Sequence, residues 1–172
     1  MLILRPETAT DAPAIRALTD AAFKDAPHSG GTEAAIVDAL RNAGALTVSL
    51  VAVQEGVIVG HVAFSPVTID GRSGGWFGLG PVSVESIRQR RGIGGALIRE
   101  GLRRLVAMGA EGCVVLGEPA YYSRFGFVAD SRLRYPGVPP EYFQRLAFTG
   151  TGPAGTDPEG EVAYHPGFGA GA

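Results

Sequence analysis

The sequence is poor in the residues that mark several protein classes. Its single cysteine, Cys113, excludes an internal disulfide and fits a reducing compartment. The three histidines lie far apart and, with that cysteine, give no spacing typical of metal ligands. No uninterrupted apolar run approaches the ~20 residues of a membrane span, and the opening MLILRPETATD lacks the pattern of a secretory signal peptide. These absences predict a cytoplasmic protein with no bound metal and no membrane association.

Lysine is also nearly absent, because Lys24 is the only one and the other basic residues are arginines. The formal net charge at pH 7 is −2. Proteins that bind nucleic acids usually carry a basic surplus that neutralises phosphates. We therefore expect no nucleic-acid partner.

The 172 residues, of which 45% are hydrophobic, suit a single domain over 1–172 with its own core. Apolar spacing at helical period predicts three long helices, at 11–23, 32–44 and 93–109. β-rich segments predict strands at 2–6, two within 46–71, then 76–86, 112–117, 142–148 and 160–165, with a short helix leading into a strand over 118–128. Composition predicts loops at 26–31 and 149–160 and a frayed tail, PGFGAGA. The order of elements indicates a mixed α/β fold.

The stretch SIRQRRGIGGALIRE, residues 86–100, joins a predicted strand to a predicted helix. Glycines at 92, 94 and 95 allow a close approach to the backbone, and the helix start offers unpaired N–H groups. The neighbouring arginines add positive charge, so the stretch predicts an anion site, with phosphate as the commonest occupant. A tight turn with a solvated arginine cluster is the alternative.

Two phosphate-binding motifs do not fit this stretch. A Walker loop ends in Gly-Lys followed by Ser or Thr, and no lysine follows these glycines. A Rossmann fingerprint needs the spacing G-x-G-x-x-G in an early βαβ unit. Here the third glycine is adjacent to the second, and the motif lies in the middle of the chain.

The run Gln89-Arg90-Arg91-Gly92-Ile93-Gly94 resembles the [Q/R]-x-x-G-x-[G/A] signature of the GNAT superfamily of N-acetyltransferases. GPVSV at 80–84 resembles the bulged fourth strand of that family, and YYSRFGF at 121–127 resembles its aromatic-x-x-x-Gly-Phe ending. The resemblance implies a GNAT fold over a core of 2–130. Such a fold has a mixed central sheet flanked by helices, in which the fourth and fifth strands splay apart. The C-terminal extension, 131–168, resembles that of the YhbS-like branch of predicted acetyltransferases.

The family resemblance also implies a function, the transfer of the acetyl group of acetyl-CoA to an amine by direct attack in a ternary complex. The signature turn would grip the pyrophosphate through Gln89, Arg90, Arg91, Gly92, Ile93, Gly94 and Gly95. The splayed strand would expose the backbone of Val82, Ser83 and Val84, whose N–H groups can polarise the thioester carbonyl. An ordinary half-buried strand is the alternative for this segment.

By the same resemblance Tyr122 is the candidate general acid. The ordinary pKa of a tyrosine, about 10, suits proton donation to a departing thiolate. A purely packed core aromatic is the alternative. The general base stays unassigned among Glu85, Glu118 and His61, since water can also deprotonate the amine.

The acceptor is expected to be a small-molecule or peptide amine, and the protein a monomer or homodimer. Mildly acidic residues around 25–33 and 157–165 favour a cationic amine. A non-catalytic acyl-CoA-binding sensor on the same fold is the alternative function. A sensor has no need of a proton donor at Tyr122.

Overall fold

The computed structural model describes residues 1–24, 26, 29–148 and 157–172. The chain divides into two compact units. The first unit comprises Met1–Phe64, Gly80–Gly101 and Pro166–Ala172, and the second comprises Ser65–Leu79 and Leu102–His165. Two strands and one helix contribute residues to both units. The expectation of a single domain stays a prediction.

The predicted helices and strands are found, with small changes at their ends. The helices are α1 (Ala12–Phe23), α2 (Glu33–Asn42), α3 (Ile93–Ala107) and α4 (Pro119–Tyr122). The strands are β1 (Leu2–Pro6), β2 (Val48–Gln54), β3 (Val57–Ile69), β4 (Arg72–Val84), β5 (Gly112–Leu116), β6 (Val128–Ala129), β7 (Leu133–Arg134), β8 (Phe143–Ala147) and β9 (Gly160–Tyr164).

An antiparallel meander forms the first unit. β1 pairs with β2, and β2 pairs with the first half of β3. The predicted hairpin at QEG is present, with Glu55 and Gly56 both at positive φ as a two-residue primed turn requires. α1 and α2 cover one face through Ile15, Val37 and Val51.

α3 covers the other face of this meander at an unusually close distance. A Cβ placed on Gly60 of β3 would lie 3.0 Å from both Ile93 Cγ2 and Leu97 Cδ1. Because successive residues of a strand point to opposite faces, His61 lies on the face of α1 and α2. The missing side chain of Gly60 therefore positions the start of α3 against the strand.

The second unit combines parallel and antiparallel pairing. β4 runs parallel to β5, from Trp76 opposite Gly112 to Leu79 opposite Val115. β5 then pairs antiparallel with β8, β8 with β6, and the end of β3 with β9. β7 and β9 are parallel. A buried cluster of Trp76, Val114, Phe143 and Val162 joins these strands, with further members Val67 and Leu133.

Two predictions of local structure were wrong. β4 begins at Arg72 rather than at residue 76, because the turn is only Asp70-Gly71, both at positive φ, and not the whole of DGRSGG. The C-terminal tail is not frayed, since Pro166–Gly169 forms a 3-10 helix and Phe168 packs against Ile36, Leu40 and Ala45. Residues 27 and 28 of the predicted 26–31 loop, and 149–156 of the predicted 149–160 loop, lie outside the described residues.

Candidate functional site

The end of β4 and the start of α3 are brought together by a short connection. β4 ends at Val84, and a 3-10 helix over Ser86–Arg88 leads to Gln89. The Gln89 side chain returns to the strand, where Nε2 donates to the Val84 carbonyl oxygen at 3.2 Å. The structure therefore places the two predicted cofactor-binding segments, 82–84 and 89–95, beside each other in the first unit.

The backbone of the turn carries two left-handed residues. Arg90 has φ 63° and Gly92 has φ 83°. A non-glycine residue in this region is uncommon, and such outliers cluster at ligand-binding turns. A Cβ added to Gly92 would meet no heavy atom within 4 Å, so that the backbone there faces open space.

The N-terminus of α3 supplies the donors that an anion needs. The first α3 hydrogen bond that reaches back to the turn runs from Ala96 N–H to the Gly92 carbonyl oxygen at 3.0 Å. The N–H groups of Ile93, Gly94 and Gly95 precede it in the first turn, where helical N–H groups lack an intrahelical acceptor. Ile93 is buried and fixes the helix start, whereas both glycines are partly exposed.

The arginines around the turn are not equivalent. Arg88 is held by Glu85, whose Oε2 lies 2.6 Å from its Nε, and by Gln54 Oε1. Arg90 and Arg91 are exposed and, among the described residues, neither makes an ion pair. Arg90 and Arg91 are therefore available to an anion, while Arg88 and Glu85 largely satisfy each other.

The side chains of the predicted strand segment alternate between two faces. Ser83 is buried toward α1, where its Oγ donates to Thr19 Oγ1 at 3.3 Å. Val82 and Val84 therefore point to the opposite face and are partly exposed. The ladder with β5 ends at Leu79, and Gly80 follows with φ 136°, an irregular backbone that glycine alone adopts readily.

Tyr122 lies in the second unit, at the end of α4 and close to the end of β5. Its ring packs edge-on against Tyr121, at 5.0 Å between centroids, and against Phe127 at 6.0 Å. Burial, with smaller effects of Tyr121 and Cys113, raises the pKa of Tyr122 to about 12. The phenol thus keeps its proton at neutral pH. Its role as general acid stays a prediction.

The glycine after β5 makes room for this ring. A Cβ on Gly117 would lie 2.4 Å from Tyr122 Cε2. The Gly117 backbone is itself fixed, because its N–H donates to the Tyr142 carbonyl oxygen and its carbonyl oxygen accepts from Gln144 Nε2. Sequence reasoning missed Gly117, although LGEPAYY places it five residues before Tyr122.

Two other residue types support no separate chemistry. Cys113 is fully buried, and burial raises the pKa of its thiol far above the ordinary range, so it is not a nucleophile. The described residues contain no group of three or more His, Cys, Asp or Glu that could hold a metal ion. Within the same residues, no helix is long and apolar enough to cross a membrane.

Comparisons with known proteins agree with this geometry. Residues 4–129 match the family model of the acetyltransferase (GNAT) domain. The chain is 40% identical over 142 residues to the protein named "Uncharacterized N-acetyltransferase YhbS" of Escherichia coli K12, covering 80% of this chain and 82% of the relative.

Two solved structures extend the similarity over nearly the whole chain. A GNAT family acetyltransferase from Brucella melitensis in complex with acetyl-CoA has 50% sequence identity and a TM-score of 0.85, covering 98% of each chain. The structure of YhbS from Escherichia coli in complex with CoA has 35% identity and a TM-score of 0.83, covering 99% of this chain and 93% of that one. The predicted fold is thereby confirmed: the chain belongs to the GNAT acetyltransferase family.

Proposed function

We propose that the protein transfers the acetyl group of acetyl-CoA to an amine. The observation that carries this is the turn of residues 89–95, tied to the end of β4 by the Gln89–Val84 bond and flanked by Arg90 and Arg91, which have no ion-pair partner among the described residues. Relatives that are 35% and 50% identical to this chain were solved with CoA or acetyl-CoA.

Acetyl-CoA would be held by two kinds of contact. The N–H groups of Gly92, Ile93, Gly94 and Gly95, with Gln89 and the guanidiniums of Arg90 and Arg91, would bind the pyrophosphate. The backbone of Val82, Ser83 and Val84 would lie along the pantetheine arm and polarise the thioester carbonyl. The open space beside Gly92 supports a close approach of phosphate to the backbone.

Tyr122 would protonate the departing thiolate. Its pKa of about 12 supports this role in one respect, because the phenol carries its proton throughout the neutral and mildly alkaline range. The same pKa lies above the unperturbed value, so the driving force for the transfer is smaller than for an ordinary tyrosine. Proton donation therefore depends on the negative charge that develops on sulfur.

The acceptor would be the amine of a small molecule or peptide, attacked directly in a ternary complex without an acetyl-enzyme intermediate. The buried thiol of Cys113 supports direct attack, since it offers no reactive nucleophile. We further propose that the protein acts in the cytoplasm, as a monomer or homodimer.

The first test concerns the cofactor turn. Gly94→Val places a branched side chain among the N–H groups at the start of α3, so CoA affinity measured by calorimetry should fall by at least about tenfold, the loss of one charge-assisted contact. Unchanged affinity in a folded Gly94→Val protein would place CoA elsewhere.

The second test separates an enzyme from a sensor. Release of free thiol from acetyl-CoA is followed over a panel of amines. An acetyltransferase releases thiol in proportion to one or more amines. A sensor binds CoA equally well but shows no amine-dependent release.

A further inference from the structure

His61 lies at the centre of a buried polar cluster in the first unit. The cluster joins Glu7 after β1, Arg41 of α2, Ser49 of β2 and His61 of β3. Arg41 Nε and Nη2 donate to the two Glu7 carboxylate oxygens at 2.7 and 3.2 Å. Ser49 Oγ donates a short hydrogen bond to Glu7 Oε1 and lies 2.8 Å from His61 Nε2.

The cluster fixes which nitrogen of His61 carries the proton. Arg41 and Ser49 hold the pKa of Glu7 at about 2, despite its partial burial, so the carboxylate has no proton to donate. The one hydroxyl proton of Ser49 goes to Glu7, and Ser49 Oγ must therefore accept from His61 Nε2–H. His61 is thus protonated on Nε2, and Nδ1 carries a lone pair.

Nδ1 is a buried acceptor without a partner. His61 has 0% exposure, and within the part of the chain that the structure describes its Nδ1 accepts no hydrogen bond. Burial lowers the pKa of His61, Arg41 adds to that lowering and Glu7 opposes it, which leaves the ring neutral at pH 7. Buried acceptors of this kind normally have a donor in the working protein.

The position of His61 relates it to the proposed thioester strand. Glu85 N–H donates to the Val59 carbonyl oxygen at 2.9 Å, which sets Glu85 opposite Val59. Two residues along each antiparallel strand, His61 comes opposite Ser83, and opposed side chains on one face have Cβ atoms about 4.5–5.5 Å apart. Both residues are buried on the face covered by α1 and α2, as this register requires.

Ser83 continues toward a cavity on the outer side of α1. Its Oγ donates to Thr19 Oγ1, whose own hydroxyl donates to the Ile15 carbonyl oxygen at 2.8 Å. Thr19 also lines a cavity of about 480 Å³ between α1 and the start of α2, whose charged lining groups are Asp20, Lys24 and Glu33. Two hydroxyls that can rotate thus separate the cavity from Nδ1 of His61.

We propose that His61 accepts, through the hydroxyls of Ser83 and Thr19, the proton that an acceptor ammonium must lose before it attacks the thioester. This inference rests on the proposed function. Thr19 takes a proton from the amine in the cavity as it passes its own to Ser83, and Ser83 passes its own to Nδ1. The Glu7 carboxylate, reached through Ser49, stabilises the imidazolium that forms.

The remaining steps balance the reaction. The freed nitrogen lone pair forms the C–N bond, and the C–S bond breaks with its electron pair on sulfur. Sulfur takes a proton from Tyr122, the amide nitrogen gives its surplus proton to water, and His61 and Tyr122 return to their starting states by exchange with solvent. No oxidant, reductant or further reactant is needed.

The two glutamates that the sequence offers as bases are less suited to this role. Glu85 is held by Arg88 at 2.6 Å. Glu118 is an exposed residue at the start of α4, with no buried path to an acceptor. Around His61, the charged groups are Glu7 and Arg41, while Thr19 from α1 and Ser83 from β4 are neutral.

The test is the pH dependence of kcat/KM in the full-length protein, with the amine that gives the fastest thiol release. In His61→Gln the side-chain amide can still donate to Ser49, but no base remains. We expect a loss of about 10²–10⁴-fold at pH 7. The deficit should shrink as the pH rises toward the pKa of the amine, because the free amine then needs no base.

Thr19→Val keeps the shape of its side chain and removes one hydroxyl of the path, so it should show the same alkaline recovery. Thr68→Val, on β3 in the second unit, is the matched control and should retain wild-type kcat/KM at every pH. Thr19→Val also tests the path if His61→Gln fails to fold.

A deficit that is constant across pH, or none at all, would overturn the inference while leaving acetyl transfer by the wild type intact. A wild-type protein that acetylates no amine would overturn the proposed function, and this inference with it.

Discussion

Gly117→Ala tests whether the position of Tyr122 matters to catalysis. Gly117 follows β5 and has an ordinary backbone conformation, so alanine is not strained there. The added Cβ would lie 2.4 Å from Tyr122 Cε2 and 3.0 Å from Cδ2. Carbon atoms pack at about 3.5–4.0 Å, so the ring must move by more than about 1 Å.

The ring has little room for this movement. Tyr121, Phe125 and Phe127 surround it, with ring centroids 5.0, 6.2 and 6.0 Å away. Overpacking of this kind costs about 1–3 kcal/mol of stability. A displacement of about 1 Å in a group that acts on the reacting atoms lowers the rate about 10²-fold. We therefore expect kcat to fall about 10²-fold in a protein that still folds and binds CoA.

The assay is steady-state thiol release at saturating acetyl-CoA and amine, with CoA affinity and the melting temperature measured on the same samples. Gly74→Ala is the control, because a Cβ there meets nothing within 4 Å. Gly117→Ala combined with Tyr122→Phe should lose no more activity than the Tyr122 variant alone, since both changes act on one hydroxyl. Wild-type kcat in Gly117→Ala, or fully additive losses, would refute the reasoning.

Three further predictions concern the acid, the anion site and stability. Tyr122→Phe should lower kcat by about 10²–10⁴-fold, with CoA affinity and melting temperature nearly unchanged. Wild-type kcat under conditions where chemistry limits the rate would make Tyr122 a packed aromatic only. Alanine at Arg90 or Arg91 should raise the KM for acetyl-CoA more than alanine at Arg99, and the reverse ranking would mean that the turn is misplaced. The Glu7 pKa of about 2, against about 4.5 when unfolded, contributes stability above pH 4.5 that is lost as the pH falls toward 2. The melting temperature of Glu7→Gln should therefore change less between pH 5 and 2.5 than that of the wild type, and equal slopes would contradict the ion-pair account.

The sequence predicted what depends on local pattern. Apolar spacing located α1, α2 and α3, and the signature turn was found from glycines and arginines within seven residues. The same local signals were less able to place the start of β4, because Ser73, Gly74 and Gly75 read as loop residues. In the structure these residues extend the strand, since the actual turn is complete after Gly71.

The polar cluster around His61 could not be predicted in this way. Glu7, Arg41, Ser49 and His61 come from four elements and meet only through the pairing of β1, β2 and β3 under α2. No fixed spacing in the chain marks them. The packing of Phe168 against α2 was missed for the same reason, because a Gly-rich tail looks frayed until its one large apolar residue finds a partner.

The fate of the acetyl group is the measurement that tests the account most directly. Acetyl-CoA labelled with a stable isotope in the acetyl group is mixed with the wild-type protein and a panel of amines, and the label is followed by mass spectrometry. The account predicts that the label appears on an amine, never on the protein, and that Gly94→Val slows its transfer at limiting acetyl-CoA. Label that stays on CoA with every amine, or that accumulates on the protein before it reaches the amine, would contradict direct acetyl transfer at this site.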